Sequence, residues 1–311
     1  MGMTFALIIF QIVIVLLLSP LCIGVIRKVK ALMQNRRGAS IFQPYRNLNK
    51  LFHKDEVVSH DASWIFLAAP YIVFVSTLVI ASSVPILFVP AFAPAGDFLV
   101  VIYMVALGAF FLSLAGMDPG SAFGGTGSSR EMTLASIAEG GLLFTLLVPA
   151  LIAGSTNINT IAATIGSASF AQYVPLLVAF IGFFIVLLSE NARYPFDNPA
   201  THLELTMVHE AMILEYSGKR LALMEWAAAN KLFIFLVLAS NLFFPSGIGN
   251  TPTALSIFFA GAFTLVKVGI LTFAIAVIES SIAKLRYFRL PDLLFTSFVM
   301  GVMALIISLT V

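Results

Sequence analysis

Read as hydrophobic and polar positions, the chain alternates long apolar runs with short charged connections. Eight runs approach or exceed the roughly 20 residues a helix needs to cross a hydrocarbon core. They cover about 4–26, 64–90, 98–117, 131–153, 173–188, 221–244, 253–278 and 290–309. The fifth is the shortest, and it runs into a stretch where charge and apolar residues alternate closely. After the first run, Tyr45, Leu48, Leu51 and Phe52 fall at helical spacing, with Arg46, Asn49, Lys50 and His53 between them. That pattern predicts an amphipathic helix lying on a membrane interface. After the fifth run, Pro195 and Pro199 bracket Phe196, Asp197 and Asn198, which argues against a helix continuing through them. No internal repeat is visible, so the inverted-repeat architecture of many transporters finds no support.

Composition agrees with the pattern. Of 311 residues, 60% are hydrophobic and 10% charged, where a soluble domain is about a quarter charged. The mean hydropathy is +1.02. The expectation is an all-α, polytopic membrane protein forming one integral membrane domain over 1–311. The first run is too long for a signal-peptide core and lacks a basic segment before it, so it reads as a retained span. Cys22 is the single cysteine, which excludes a disulfide frame and a cluster-binding cysteine set within this chain. A net charge of +2 gives no sign of a nucleic-acid partner.

Charge placement predicts orientation. Of 17 Lys and Arg, eight lie between the first two runs, and the others named here fall in alternate loops: Arg130, Arg193, Lys219, Arg220, Lys284, Arg286 and Arg289. The opposite loops, around Ala93, Ser155 and Gly247, hold none. Basic loops stay cytoplasmic, so both termini are expected outside. Three segments then build the cytoplasmic face: 27–58, 115–131 and 189–220. In the first, Arg36 and Arg37 before Gly38 are suited to clamp carboxylates of a docked subunit; a topology signal with lipid-headgroup contacts accounts for the same residues. The second, "AGMDPGSAFGGTGSSRE", has glycines but no G-K-[ST] ending, so it is not a phosphate loop. Ser128 with Glu131 fits a capping box opening the fourth span. In the third, His202, Glu204, His209 and Glu210 raise a metal reading, but no H-E-x-x-H is present and no metal is expected.

Ionisable residues also fall inside the runs. Counted at the helical rise of about 1.5 Å per residue, Glu139, Lys231 and Lys267 lie near the membrane midplane, with Glu225 and Glu279 nearer the cytoplasmic ends. Such groups cost several kcal/mol to bury unless paired or hydrated. They predict either structural Glu–Lys pairs or a hydrated ion path.

Three motifs resemble one family. "NRRGASIFQPYRNLNKLF", "GMDPGSAFGGTGSSRE" with "AGSTNI", and "ENARYPFDNPATHLEL" followed by "EYSG" are similar, nearly end to end, to the quinone-site membrane subunit of respiratory complex I. They are more similar still to its relative in formate hydrogenlyase and other membrane-bound hydrogenases. The resemblance implies an eight-span fold and a loop where a peripheral arm docks. That arm carries a small iron–sulfur subunit and a large hydrogenase- or dehydrogenase-like subunit, with iron–sulfur clusters and nickel–iron belonging to those partners and none to this chain. It also implies antiporter-like membrane partners, a place in the cell inner membrane, and quinone as a candidate ligand. By motif position, Glu190, Arg193, Asp197 and Glu204 correspond to the family's charged set. The sequence departs from the quinone-type pattern at Ala200, His202, His209 and Glu210.

The expected function is a membrane subunit of an energy-converting redox complex, not catalytic alone, which anchors the arm and couples electron transfer to proton or sodium translocation. The candidate ion path comprises Glu139, Glu190, Asp197, Glu204, Glu210, Glu215, Glu225, Lys231, Lys267 and Glu279. The candidate docking residues are Arg36, Arg37, Arg46, Arg130 and Arg193. A quinone-site subunit, a stand-alone secondary cation transporter and a purely structural anchor stay open as alternatives.

Overall fold

The computed structural model describes residues 2–86, 96–166, 170–198, 207–245, 247 and 254–310. In chain order the helices are α1 (Gly2–Met33), α2 (Gln43–Phe52), α3 (Trp64–Ser83), α4 (Phe98–Met117), α5 (Ala122–Ala153), α6 (Ile158–Ile165), α7 (Phe170–Glu190), α8 (His209–Ile213), α9 (Gly218–Phe243), α10 (Ala254–Ser281) and α11 (Leu290–Thr310). Among the described residues, eight of them are long and apolar enough to cross a membrane. α2 and α8 sit at the basic end of the bundle and α6 at the opposite end. The protein is a multi-pass membrane protein.

α9 is the centre of the bundle, packed against α1, α3, α7 and α10. Every residue from Leu232 to Phe243 is buried. A helix that is apolar all round belongs inside other helices rather than against one face. Phe183 of α7 stacks near-parallel on Phe235 at 5.9 Å and meets Phe243 at 5.3 Å. A second group of spans, α5, α7 and α11, packs closely together. Gly301 of α11 lies against Phe144, and Gly141 of α5 lies against Ser297.

Several spans, α1 and α5 above all, run past their apolar stretches at the basic end. α1 has 32 residues, about 48 Å at helical rise. α2 lies beside its middle: the Tyr45 hydroxyl donates to the carbonyl of Leu17. The Trp226 indole of α9 donates to the carbonyl of Leu16 at 3.1 Å. The last turns of α1, with Arg27 and Lys30, therefore rise past the interfacial helix into the charged assembly.

Two expectations change here. The Gly-rich stretch is not a loop over 115–131: α5 starts at Ala122, and its N-cap is Ser121, whose side chain accepts from Gly124 N–H. Ser128 is buried inside the helix, so it opens no capping box. Glycines are poor helix formers, but packing decides at this site. A Cβ on Gly124 would collide with the carbonyl oxygen of Gly116, so only glycine lets α5 meet the end of α4. The second span's helix ends at Ser83, before Pro85. The loop around Ala93 lies outside the described residues.

The E-Y-S-G motif has a packing role. Tyr216 stacks on Phe66 at 4.0 Å and donates to its carbonyl at 2.8 Å. The Ser217 hydroxyl donates to the Val57 carbonyl and accepts from Val57 N–H. Gly218 has φ +54 and lies against the backbone at Lys54 and Asp55. A side chain there would meet both strain and a clash. The motif thus ties the segment after α2 to the start of α9.

Candidate functional site

α7 stops at Glu190, five residues before Pro195. The chain then folds back in a tight turn. Arg193 N–H donates to the Leu188 carbonyl at 2.8 Å, and Phe196 and Asp197 N–H donate to the Arg193 carbonyl. Leu285 N–H donates to the Pro195 carbonyl at 3.1 Å, which joins the turn to the α10–α11 connection. Phe196 is fully buried and anchors the turn in the bundle.

Around that turn the chain buries alternating charge. Lys231 of α9 pairs with Glu190 at 2.6 Å. Arg193 and Lys30 both hold Glu279 of α10, at 3.2 and 3.3 Å, and the Lys30 ammonium also lies 4.5 Å over the Tyr194 ring. Lys284 pairs with Asp197 at 2.6 Å, and the same carboxylate accepts from Val208 and His209 N–H, each at 3.1 Å. Asp197 thereby tethers α8 to the turn. The carboxylates of Glu190, Asp197 and Glu279 are each less than 5% exposed. Buried charges of this kind persist only when paired and hydrogen-bonded.

These groups surround a cavity of about 330 Å³. Its charged end is lined by Arg27, Glu131, Glu190, Arg193, Asp197, His209, Glu210, Glu225 and Lys231. Farther from the turn the lining is largely aliphatic, with Ile80 of α3 and Met104 and Val105 of α4 beside the hydroxyls of Ser76 and Thr77. Pro44, Asn47 and Leu48 of α2 form part of one wall. Glu131, Arg27, Lys30 and Lys284 join this assembly although sequence reasoning does not place them on the ion path. Spacing alone makes Glu131 a cap and the three cations topology signals; only their depth at the charged end of long spans points to more.

The other candidates stand outside these pairs, although Glu139 lies within electrostatic reach of Glu190 and Lys231. Glu139 is half-buried on α5 and makes no hydrogen bond or ion pair among the described residues. It stands 14 residues from Ala153, about 21 Å from that end of the helix. Lys267 does not continue from Lys231. Its ammonium donates to Asn241 Oδ1 at 2.8 Å and to the Phe244 carbonyl at 3.0 Å, at the far end of α9. Glu215 is exposed. Arg36, Arg37 and Arg46 are exposed on the basic face, beside Leu32 and Phe42, which are exposed as well. Arg130 donates to the Met207 carbonyl at 3.2 Å and stands 5.6 Å over the Tyr287 ring. Glu204 and His202 lie outside the described residues. Among the described residues, no group of three or more His, Cys, Asp and Glu is placed to hold a metal.

Two neighbours on α8 titrate in opposite senses. Burial pushes His209 down to about 4, aided by Lys231 and Arg193 and opposed by Asp197. Burial pushes Glu210 up to about 7, aided by Glu225 and Asp197 and opposed by Arg27 and Arg193. Both groups prefer the neutral form in the folded chain. The folded state binds fewer protons than the unfolded state at His209 between about pH 4 and 6.5, so that residue makes stability rise with pH. At Glu210 it binds more protons between about 4.5 and 7, so that residue makes stability fall with pH. The two slopes largely cancel in the wild type. Thermal melts in detergent should show stability rising from pH 4 to 6.5 in Glu210→Gln and falling from pH 4.5 to 7 in His209→Gln. Parallel pH profiles in the two variants would refute the assignment.

Comparison with known proteins places this geometry. The sequence matches the NADH dehydrogenase family over residues 5–310. It is 35% identical to hydrogenase-4 component C of Escherichia coli K12, over 96% of this chain and 94% of that protein. It is 32% identical to formate hydrogenlyase subunit 4 of the same organism, over 93% of each. It is 28% identical to a subunit of the NADH-quinone oxidoreductase of Paraburkholderia phymatum, over 81% of this chain and 74% of that one. A chain of the membrane-bound sulfane sulfur reductase, an archaeal respiratory membrane complex, shares the fold with a TM-score of 0.83 at 21% identity, covering 99% of this chain and all of that one. With a match along nearly its whole length and two relatives above 30% identity, the chain belongs to the NADH dehydrogenase family of membrane subunits.

Proposed function

We propose that this chain is the membrane subunit of an energy-converting redox complex of the hydrogenase type. It anchors a peripheral iron–sulfur arm and couples electron transfer there to proton or sodium movement. The observation that carries this reading is the set of buried acid–base pairs around one cavity: Glu190 with Lys231, Glu279 with Arg193 and Lys30, and Asp197 with Lys284. Each pair is buried in low dielectric, where a nearby change of charge acts with little screening. Opening the Glu190–Lys231 pair would present an acid and a base to the cavity. Glu139, deeper in α5, would take the charge on toward antiporter-like membrane partners. Glu204, by its place in the motif, belongs to the mouth of the same route.

The hydrogenase-type assignment is supported by the relatives that carry hydrogenase names and are more than 30% identical. In this reading a small iron–sulfur subunit and a large hydrogenase-like subunit hold the clusters and the nickel–iron centre. They dock on the basic face through Arg36, Arg37 and Arg46, which are exposed there. That face is cytoplasmic, both termini are outside, and the complex sits in the cell inner membrane. A quinone-site subunit is the second reading. Its support is the cavity, whose largely aliphatic part suits an isoprenoid tail and whose charged end offers donors to a carbonyl headgroup.

The test is a split phenotype. Glu139→Gln should leave the purified complex intact and electron transfer through the arm unchanged, yet lower the ions moved per electron in proteoliposomes. An unchanged ratio in a fully assembled variant would sink the coupling role of Glu139. Purification of the wild-type chain alone, free of iron–sulfur partners, would favour a stand-alone transporter instead.

A further inference from the structure

Among the described residues, five carboxyl groups line the cavity against three cations, and the pairing leaves one acid over. Lys231 holds Glu190, and Lys284 holds Asp197. Arg193 holds Glu279. Arg27 faces Glu225, Glu210 and Glu279. Glu131, near the start of α5, lines the same cavity. Its carboxyl makes no hydrogen bond or ion pair among the described residues. Lys231, Glu190 and Asp197 lie within electrostatic reach of it, and Lys231 is the one cation of the three.

We propose that Glu131 is the proton-loading residue of the route and shares Lys231 with Glu190: the ammonium pairs with one carboxylate while the other group carries a proton. In the structure Lys231 sits on Glu190 at 2.6 Å. Glu131 then holds the proton, because a lone charge buried in low dielectric is costly. In the second arrangement that proton has left the Glu131 carboxyl, crossed cavity water and joined the Glu190 carboxylate. The ammonium keeps its three protons and turns to the Glu131 carboxylate. Each arrangement contains one ammonium, one carboxylate and one neutral acid, so the set is uncharged in both. Moving the proton without the ammonium, or the ammonium without the proton, leaves buried charge unpaired, which low dielectric penalises.

Lys231 has the freedom this needs. An ammonium on a four-carbon stem reorients readily, and its side chain is 20% exposed beside a cavity of about 330 Å³, with room for the water that carries the proton. Asp197 does not compete, since Lys284 and two backbone N–H groups already hold it. Glu139 gives the exchange a direction. It lies within electrostatic reach of Glu190 and Lys231, which makes Glu190 the donor to it and Glu131 the group that loads from the cavity. The inference rests on the reading of this chain as a coupling subunit, and names the proton as the ion taken up and Glu131 as the point of entry.

The test combines infrared spectroscopy of the purified complex at rest with ion counting in proteoliposomes. The carbonyl stretch of a protonated carboxyl separates it from a carboxylate. One such band should be present in the wild type and lost in Glu131→Gln. It should also be lost in Glu190→Gln, where Glu131 is intact, because Lys231 then has the Glu131 carboxylate to pair with. The double variant Glu190→Gln, Lys231→Met should regain it. A structural Glu131 would not respond to Glu190→Gln. Persistence of the band in that variant, or a wild type with no Glu131-dependent band, would overturn the proposal. In proteoliposomes Glu131→Gln should lose ions moved per electron, and Glu131→Asp should keep part of them. A wild-type ratio in Glu131→Gln would overturn the loading role. If Glu190→Gln fails to assemble, the band and the ion ratio of Glu131→Gln decide. A wild-type complex that moves no ions would instead overturn the coupling reading and the loading role with it, while the bands still decide the exchange of partners.

Discussion

Replacing Lys231 with methionine should destabilise the protein by about 3–5 kcal/mol, the cost of stranding a buried charge by removing its partner. The Glu190 carboxylate is 3% exposed and its ammonium partner is 2.6 Å away. Without Lys231 it must either stay charged in an apolar surround or take up a proton. Glu190→Gln should cost less, because Lys231 is 20% exposed and keeps some access to the cavity. The double variant Glu190→Gln, Lys231→Met should recover most of the lost stability, since replacing both members of a buried pair with neutral groups is often close to neutral. Melting curves in detergent measure the cycle. Proteoliposome assays then separate packing from coupling. The double variant should assemble yet move fewer ions per electron, and a wild-type ratio in that variant would remove the pair from the path.

Glu279→Gln should have a comparable effect and reach further through the structure. This carboxylate is 2% exposed and is shared by Lys30 of α1 and Arg193 of the turn after α7. It therefore joins three parts of the chain that are distant in sequence. Its loss strands two cations in one place, and their mutual repulsion adds to the desolvation cost. We expect destabilisation of about 3–5 kcal/mol, with early loss of the Asn191–Asn198 turn as the visible consequence. Limited proteolysis near that turn, compared with cleavage elsewhere, measures it. Stability and cleavage unchanged from the wild type would show that Lys30 and Arg193 find other acceptors. Because Asp197 has its own cation and backbone donors, its environment should persist longer than the Arg193 contact does.

The spans, their number and the interfacial helix are legible in the sequence because each is a local property. A run of about 20 apolar residues in lipid must satisfy its backbone within itself, so it forms a helix whatever its neighbours do. The period of Tyr45, Leu48, Leu51 and Phe52 likewise predicts α2 without reference to the rest of the chain. The prolines after Glu190 signal the end of α7 for an equally local reason. Charge in so apolar a chain marks Glu190, Asp197, Lys231 and Glu279 as candidates before any partner is known.

What only the tertiary structure decided is which charges meet and which stay apart. Lys30 finds Glu279 across 249 residues and Ser19 finds Asn230 across 211; no period or spacing encodes such pairs. Lys231 and Lys267 look equivalent by helical counting, yet one holds Glu190 near the turn and the other caps the far end of α9, because neighbouring helices are offset along their axes. The Gly-rich stretch reads as a loop because glycine disfavours helix in isolation. It is the first turns of α5, and glycine stands at 124 because the approach to Gly116 leaves no room for a side chain. Arg27 and Glu131 gained their place only when α1, α4, α5 and α9 closed around one cavity. The sequence by itself determined the membrane spans and the stock of buried charge, since hydropathy acts residue by residue. Packing alone determined the pairing of that charge, since an ion pair in low dielectric depends on a few ångströms between segments remote in the chain.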